Sequence, residues 1–168
     1  MRHKFLVTIL VLAALAISFS ATQTTLADEP VATTVHIPTL DFTAPIHYVP
    51  IGNVNGRAQW MFGPWERGVG FFQGTAPFGQ GNAMIGAHST MPDGSVGPFY
   101  RLNSLQPGDQ VIITQNDHQQ VYVVTQRMDV PVNDISVAQQ GYGVRLTIVT
   151  CTVGNSGLRT VVVAEPVQ

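Results

Sequence analysis

The segment Arg145–Thr152 reads RLTIVTCT and contains the only cysteine of the 168-residue chain. Most of its residues are β-branched, and β-branched side chains fit the pleated surface of a sheet. The pattern therefore predicts a β-strand over residues 144–151. Cys151 closes this strand, so we expect its thiol at a strand exit, where a side chain can contact both the protein interior and solvent.

The rest of the chain follows the same pattern of short apolar or alternating runs, separated by Gly, Pro, Asn and Asp. This pattern is typical of an all-β domain. Residues 116–118 (Asn-Asp-His) predict a hairpin turn, and brief helical turns are expected only within residues 99–105 and 135–140. Eight short strands indicate a closed barrel or a sandwich, and we predict them at residues 34–40, 46–51, 70–73, 82–87, 110–114, 119–129, 144–151 and 160–164.

The composition excludes one class of partner. Hydrophobic residues make up 45% of the chain and charged residues 11%, which suits one modest domain with a real core. Beyond residue 27 there are six arginines, no lysine and ten acidic residues, a formal charge of −4. A nucleic-acid-binding protein needs a basic stripe to neutralise phosphates. We therefore expect no nucleic-acid partner.

The N-terminus has the organisation of an export sequence. Arg2 and Lys4 form a short basic region, residues 5–19 are apolar apart from Thr8 and Ser18, and Ala27 offers a small residue before a cleavage site. We predict a signal peptide or a membrane anchor over residues 1–27, a linker over 28–34 and a folded domain over 35–168. Both fates of the apolar segment are left open, and either one places the domain outside the cytoplasm, secreted or at the outer face of the membrane.

A single cysteine in an exported chain cannot form an intramolecular disulfide, so Cys151 is buried and inert, paired between chains, or reactive. A reactive thiol needs a nearby base or positive charge, and acyl transfer also needs a donor for the developing oxyanion. His88 follows the predicted strand NAMIGA and can supply the base. Arg159 lies eight residues after Cys151, so a hairpin of the last two strands would place them opposite each other.

These residues resemble the sortases, which are extracytoplasmic cysteine transpeptidases. Thr147–Ile148–Val149–Thr150–Cys151 matches the T-L-x-T-C strand of that family except for Ile148. Arg159 opens the following strand, as the family's arginine does. The family's Gly-His pair is here Gly86-Ala87-His88, with the glycine one place early. The segments IPTLDFTAPI, GNAMIGAHS and GPFYRLNSLQPGDQVII are similar to other parts of the family, so the resemblance covers about residues 35–165.

The resemblance implies an all-β, eight-stranded sortase-like barrel with one or two short helical turns and a Cys151–His88–Arg159 catalytic site. Cys151 would attack a sorting motif of the Leu-Pro-x-Thr-Gly kind in an exported protein. His88 would transfer protons, and Arg159 would hold the substrate and the oxyanion. An amine acceptor, either a cell-wall precursor or a protein amine, would then resolve the thioester. No cofactor is implied, and the only acid in the loop after His88 is Asp93, although some sortases bind activating calcium through clustered loop acids.

Other polar and aromatic residues have simpler explanations. His36, His47 and His118 do not have zinc-site spacing, so we assign them to strands or the surface. Trp60, Phe62 and Trp65 are expected to pack in the core or a loop. Arg127 and Arg145 are alternatives to Arg159, and Asp129 or Asp134 could orient His88. Two other functions remain open: a non-catalytic secreted β-domain that binds a wall polymer or partner, and a plain cysteine endopeptidase.

Overall fold

The structure is a computed structural model that describes residues 32–64 and 66–167. In this part of the chain, ten strands and three short 3-10 turns follow one another. The strands are β1 (Thr33–Ile37), β2 (Phe42–Val49), β3 (Ile51–Val54), β4 (Arg57–Trp60), β5 (Val69–Phe72), β6 (Asn82–Gly86), β7 (Gln110–Gln115), β8 (His118–Pro131), β9 (Arg145–Thr152) and β10 (Asn155–Pro166). The 3-10 turns are Pro38–Leu40, Leu102–Ser104 and Ser136–Ala138.

Eight of these strands form a closed barrel in the order β1-β2-β5-β6-β9-β10-β8-β7, and β7 pairs with β1 to complete it. All eight correspond to predicted strands, so the expected all-β barrel is confirmed. Most neighbours are antiparallel, but β2 runs parallel to β5 and β6 runs parallel to β9. The parallel β6–β9 pair matters for function, because the residues that follow these two strands leave the barrel at the same end.

Side-chain alternation along β9 and β10 separates two apolar layers. Leu146 and Ile148 point into the barrel and pack in its main core with Val162. Val161 and Val163 point the other way, into a second cluster that the loop between β8 and β9 covers. Both faces of residues 161–163 are therefore covered, which explains why the valine run lacks the alternation of a half-exposed strand. In β7, which has a similar apolar run, Ile112 is only half-buried.

Two boundaries differ from the sequence-based prediction. The first strand ends at Ile37 rather than at residue 40, because Pro38 begins a 3-10 turn that ends on Asp41 in the left-handed region (φ 49°). Proline suits the first turn of a helix, where its missing N–H costs no hydrogen bond. The next strand begins at Phe42 rather than at residue 46. The prediction of helical turns at only two places was therefore wrong for Pro38–Leu40.

A hairpin outside the barrel was missed altogether. Strands β3 and β4 pair with each other through a turn at Asn55 and Gly56, both with positive φ (53° and 80°). An Asn-Gly pair is a strong signal for a two-residue hairpin turn. The signal was present in the sequence, but the flanking residues lack a strong apolar alternation. This hairpin leads into the loop that approaches His88.

The remaining turns lie where they were expected. Asn116 and Asp117 form the two-residue turn between β7 and β8, with φ values of 47° and 65°. The turns Leu102–Ser104 and Ser136–Ala138 fall inside the two predicted helical regions. The predicted signal peptide or anchor, residues 1–27, lies outside the described residues, as does most of the predicted linker. Across residues 32–64 and 66–167, no helix is both long enough and apolar enough to cross a membrane.

Candidate active site

Cys151 is the last but one residue of β9 and lies on the outer face of the barrel. Leu146 and Ile148 of the same strand point inward, so the odd-numbered Val149 and Cys151 point outward. The thiol is half-buried and is not in a disulfide. The sequence predicted this position at a strand exit, and the structure places it there.

Arg159 lies directly across the last hairpin from the cysteine. The two residues are Cα partners in the β9–β10 ladder, and an irregularity between Asn155 and Arg159 sets this register. Nη1 of the guanidinium donates hydrogen bonds to the carbonyl oxygens of Leu158 (2.9 Å) and Ser156 (3.3 Å). In the described part of the chain, no carboxylate forms a salt bridge with Arg159. Its positive charge is therefore available to an anion near the thiol.

His88 follows β6 and is tied to the cysteine strand by hydrogen bonds. The hydroxyl of Thr150 donates to the carbonyl of Ala87 (2.7 Å), and the N–H of Ala87 donates to the carbonyl of Val149 (3.4 Å). The two candidate residues, His88 and Cys151, thus directly follow Ala87 and Thr150, which this hydrogen bond joins. The threonine before the cysteine has a structural purpose, because it satisfies a carbonyl that would otherwise be buried without a partner.

The displaced glycine before His88 also has a packing explanation. A Cβ at Gly86 would lie 2.7 Å from the ring of Phe72 and 3.0 Å from Val149. The aromatic ring occupies the space that a side chain would need, so glycine is required at residue 86. Ala87 takes the next position, and its side chain is 8% exposed. Although the glycine stands one place earlier than in the family, His88 still lies at the same end of the barrel as Cys151.

The three predicted site residues line a single cleft of about 230 Å³, together with Phe62, Phe72, Gly86, Ala87, Val149 and Thr150. Two further clefts adjoin it. One, of about 460 Å³, is lined mainly by small polar residues and also touches Cys151 and Arg159. The other, of about 450 Å³, is largely apolar and reaches Arg159 from the side of the β8–β9 loop. Arg159 lines all three clefts.

Comparison with known proteins identifies the family of this chain. The family model described as the sortase domain matches residues 35–167. The chain belongs to the sortase family. Members of this family are cysteine transpeptidases, and the match covers the barrel from Val35 of β1 onward. A search of curated protein sequences gave no match.

Solved sortase structures have the same fold. A lid mutant of sortase A from Corynebacterium diphtheriae is 25% identical, with a TM-score of 0.66, over 85% of this chain and 73% of that one. A sortase D5 transpeptidase from Clostridium perfringens is 24% identical, with a TM-score of 0.64, over 82% of this chain and 79% of that one. Sortase C1 from Streptococcus agalactiae is 21% identical, with a TM-score of 0.67, over 88% of this chain and 72% of that one.

The two arginines considered as alternatives to Arg159 lie away from the cleft that Cys151, His88 and Arg159 line. Arg145 is at the opposite end of β9 from Cys151, and its guanidinium lies 4.3 Å from the ring centroid of Tyr142. Arg127 is exposed on β8 and lines none of the three clefts. Arg159 is thus the arginine that the fold brings to the thiol.

Neither aspartate suggested as an orienting group contacts His88. Asp129 accepts a hydrogen bond from the hydroxyl of Thr160 (2.8 Å). Asp134 lines the apolar cleft. A hydrogen bond from the side chain of Ser136 and, to a smaller extent, one from its backbone N–H lower the pKa of Asp134. The Nε2 atom of His88 instead lies 2.9 Å from the carbonyl oxygen of Gly63. Sequence analysis missed this contact.

Aromatic residues beside the cleft pack as expected and also shape it. Trp60 and Phe62 both pack against Phe72, with ring centroids 5.0 Å and 6.2 Å away. The indole N–H of Trp60 donates to the carbonyl of Gln73 (2.9 Å), which fastens β4 to the end of β5. Phe62 lines the cleft of the three site residues and Trp60 lines the apolar cleft. Trp65 lies outside the described residues.

The loop between β8 and β9, which borders the apolar cleft, is held by a buried amide. The Nδ2 atom of Asn82 donates to the carbonyls of Val137 (2.9 Å) and Gln139 (3.0 Å), and its Oδ1 accepts from the hydroxyl of Thr147 (2.7 Å). Gln140 adds two side-chain bonds to the backbone of Asn82. This network fixes residues 137–140 on the barrel, which gives the cleft a preformed side.

The loop acid Asp93 is engaged in local bonds. Its carboxylate accepts hydrogen bonds from the hydroxyl (2.6 Å) and the N–H (2.9 Å) of Ser95 and lies 3.5 Å from Arg67. The hydrogen bonds from Ser95 lower the pKa of Asp93, and the positive charge of Arg67 makes a smaller contribution in the same direction. In residues 32–64 and 66–167 no group of three or more His, Cys, Asp or Glu side chains is placed to hold a metal ion.

The link between Thr150 and Ala87 can be tested by mutation. Thr150→Val keeps the shape of the side chain but leaves the Ala87 carbonyl without its hydroxyl donor. We expect a loss of about 1–3 kcal/mol in the free energy of unfolding, because a buried acceptor then remains unsatisfied. Urea unfolding followed by circular dichroism measures this loss. Thr114→Val, at a half-buried position of β7 where the hydroxyl has no hydrogen bond within the described part of the chain, is the control and should change the free energy by about 0.5 kcal/mol or less. Equal stability of the two variants would contradict the structural role of Thr150.

Proposed function

We propose that this chain is a sortase-type transpeptidase that cleaves a sorting motif of the Leu-Pro-x-Thr-Gly kind in exported proteins. The observation that carries the proposal is the shared cleft of Cys151, His88 and Arg159. A thiol at a strand exit, an imidazole and a guanidinium are the three groups that acyl transfer through a thioester requires. A binding domain has no need to bring these three together.

Each group has one role in the proposed reaction. The Cys151 thiol gives its proton to His88, and the thiolate attacks the carbonyl carbon at the scissile bond. Arg159 donates to the oxyanion of the tetrahedral intermediate, where its charge has the greatest effect. The carbon–nitrogen bond then breaks, His88 protonates the departing amine, and a thioester remains. An incoming amine gives its proton to His88 and attacks the thioester, which restores the thiol and forms a new amide.

The two neighbouring clefts provide separate candidate sites for the sorting peptide and for the amine acceptor. The apolar cleft beside Arg159 suits the apolar side chains on the N-terminal side of the scissile bond. The cleft on the other side of Cys151 is bordered by Ser89, Thr90 and Ser156 and suits a polar amine acceptor. The acceptor would be a cell-wall precursor or a protein amine. No metal or cofactor takes part in the proposed steps.

Product analysis distinguishes the three candidate functions. The full chain is incubated with a library of sorting peptides, with and without added amines such as triglycine, and the products are identified by mass spectrometry. A transpeptidase yields peptide–amine conjugates. A plain cysteine endopeptidase yields only the hydrolysed peptide in both cases. Intact peptides throughout, with retained binding to cell-wall polymer, would establish the non-catalytic β-domain instead.

The proposed location is extracytoplasmic, as the basic and apolar N-terminal residues predict. A reporter that is active only in the cytoplasm, fused after Gln168, should be silent because the domain is exported. The control is the same fusion lacking residues 2–27, which should be active. N-terminal sequencing of the mature protein then separates the two fates, since Asp28 as first residue indicates a cleaved signal peptide. Strong activity of the full-length fusion would contradict export.

A further inference from the structure

The loop between β4 and β5 contains a tight turn that approaches His88 from one side. The carbonyl oxygen of Gly63 accepts a hydrogen bond from the N–H of Glu66 (3.2 Å), which closes a turn between these two residues. Pro64 occupies the second position of this turn, where its fixed φ is favourable. The same carbonyl oxygen lies 2.9 Å from Nε2 of His88. The turn therefore presents a backbone acceptor in a defined direction.

Several contacts hold this turn against the barrel. The carboxylate of Glu66 accepts from the N–H of Gly68 (3.2 Å) and lies 3.5 Å from Nε2 of His47. The ring of Phe62 lies over Gly70, where a Cβ would be only 2.8 Å from it. These contacts fix both ends of the segment that carries Gly63.

The same aromatic ring packs on the catalytic candidate itself. The ring centroid of Phe62 is 4.9 Å from that of His88 on one side and 6.3 Å from that of His47 on the other. The imidazole of His88 is thus restrained by an aromatic ring and by a hydrogen bond to one of its nitrogens. In the described part of the chain, its other nitrogen, Nδ1, has no hydrogen-bond partner.

The chemistry of the acceptor decides which nitrogen carries the proton. A carbonyl oxygen only accepts hydrogen bonds, so Nε2 of His88 must be the donor. A neutral imidazole has a single N–H, and Nδ1 is then the free base. We propose that the Gly63 carbonyl is the orienting group of His88, in the place where a carboxylate stands in many catalytic triads. This inference rests on the proposed transpeptidase function.

The proton movements follow from this assignment. Nδ1 accepts the proton of the Cys151 thiol, while Nε2–H stays bonded to the Gly63 carbonyl. The resulting imidazolium gives the Nδ1 proton to the departing amine nitrogen, and Nδ1 later takes a proton from the incoming amine. Gly63, Phe62 and Pro64 are positioning residues, because they act through His88. A neutral carbonyl orients the ring without placing a second charge in the cleft.

Nuclear magnetic resonance of the full chain, with ¹⁵N-labelled histidine, tests the hydrogen bond directly. The Hε2 proton of His88 should appear as a slowly exchanging signal, assigned by its absence in His88→Gln. Pro64→Gly loosens the turn at an exposed position and should abolish the signal. The inference is overturned if the neutral ring carries its proton on Nδ1, or if wild type shows no protected Hε2.

Kinetics test whether this bond supports the reaction. Pro64→Gly and Phe62→Leu should lower kcat about tenfold, because misplacing a catalytic group slows the chemical step. In Pro64→Gly the KM for the peptide should change by less than about twofold, because Pro64 lines none of the three clefts. Phe62→Tyr keeps the ring and should recover most of kcat. Met61→Ala is the control, because its exposed side chain packs on Gly52 of β3.

The outcomes separate this inference from the proposed function. An unchanged kcat in Pro64→Gly after loss of the Hε2 signal would show that the carbonyl does not orient His88 for catalysis. A protected Hε2 in a wild-type protein that neither cleaves nor ligates peptides would instead refute the proposed function and leave the hydrogen bond intact. Loss of kcat in Pro64→Gly with wild-type Hε2 protection would also overturn the inference.

Discussion

Cys151→Ala is expected to abolish both cleavage and ligation of sorting peptides. Removing the nucleophile of a covalent catalyst can cost about 10⁶ in kcat. Because Cys151 is the only cysteine of the chain, a thiol-specific alkylating agent should have the same effect through a single modified residue. Peptide cleavage followed by liquid chromatography measures the loss of activity for both treatments.

The fold should survive this change, because the thiol is half-buried and the substitution removes one sulfur atom. A thermal unfolding midpoint close to that of wild type would show this. The matched control is Thr125→Ala on β8, which shortens an exposed strand residue far from the thiol and should leave the activity unchanged. Wild-type turnover in Cys151→Ala would refute the enzyme hypothesis and favour the non-catalytic β-domain.

The sequence predicted the placement of Cys151 and Arg159 well, because local rules determine it. The β-branched run before the cysteine predicts a strand, and the eight-residue spacing predicts a hairpin partner. The structure pairs the two residues directly. The position of His88 followed from the same kind of argument. The hairpin placement depends on pairing between neighbouring segments, which short sequence patterns report. The place of His88 beside Cys151 depends in addition on the parallel pairing of β6 with β9, which are far apart in the sequence.

The environment of His88 could not be predicted in the same way. Its partner is the backbone carbonyl of Gly63, and a backbone group leaves no signature in the sequence. Asp129 was a reasonable candidate by residue type, but it lies opposite Thr160 in the β8–β10 ladder and accepts a hydrogen bond from the hydroxyl of that residue.

Arg159→Ala is expected to produce the second largest effect, a loss of about 10²–10³ in kcat, which is typical for one oxyanion donor. Arg159 lies across the hairpin from the thiol and has no salt bridge with any carboxylate of residues 32–64 and 66–167, so its charge should act mainly on the negative charge of the transition state. kcat and kcat/KM should therefore fall together. Steady-state kinetics with a sorting peptide and excess amine measure both constants.

The conservative and control variants define what Arg159 contributes. Arg159→Lys should recover only part of the rate, because an ammonium group cannot reproduce the planar pair of donors. Arg127→Ala, an exposed arginine that lines none of the three clefts, should leave the kinetics nearly unchanged. An increase in KM alone for Arg159→Ala would make it a substrate-binding residue and assign the oxyanion to another donor. If Arg145→Ala lowers kcat strongly while Arg159→Ala lowers it only slightly, the site lies at the other end of β9.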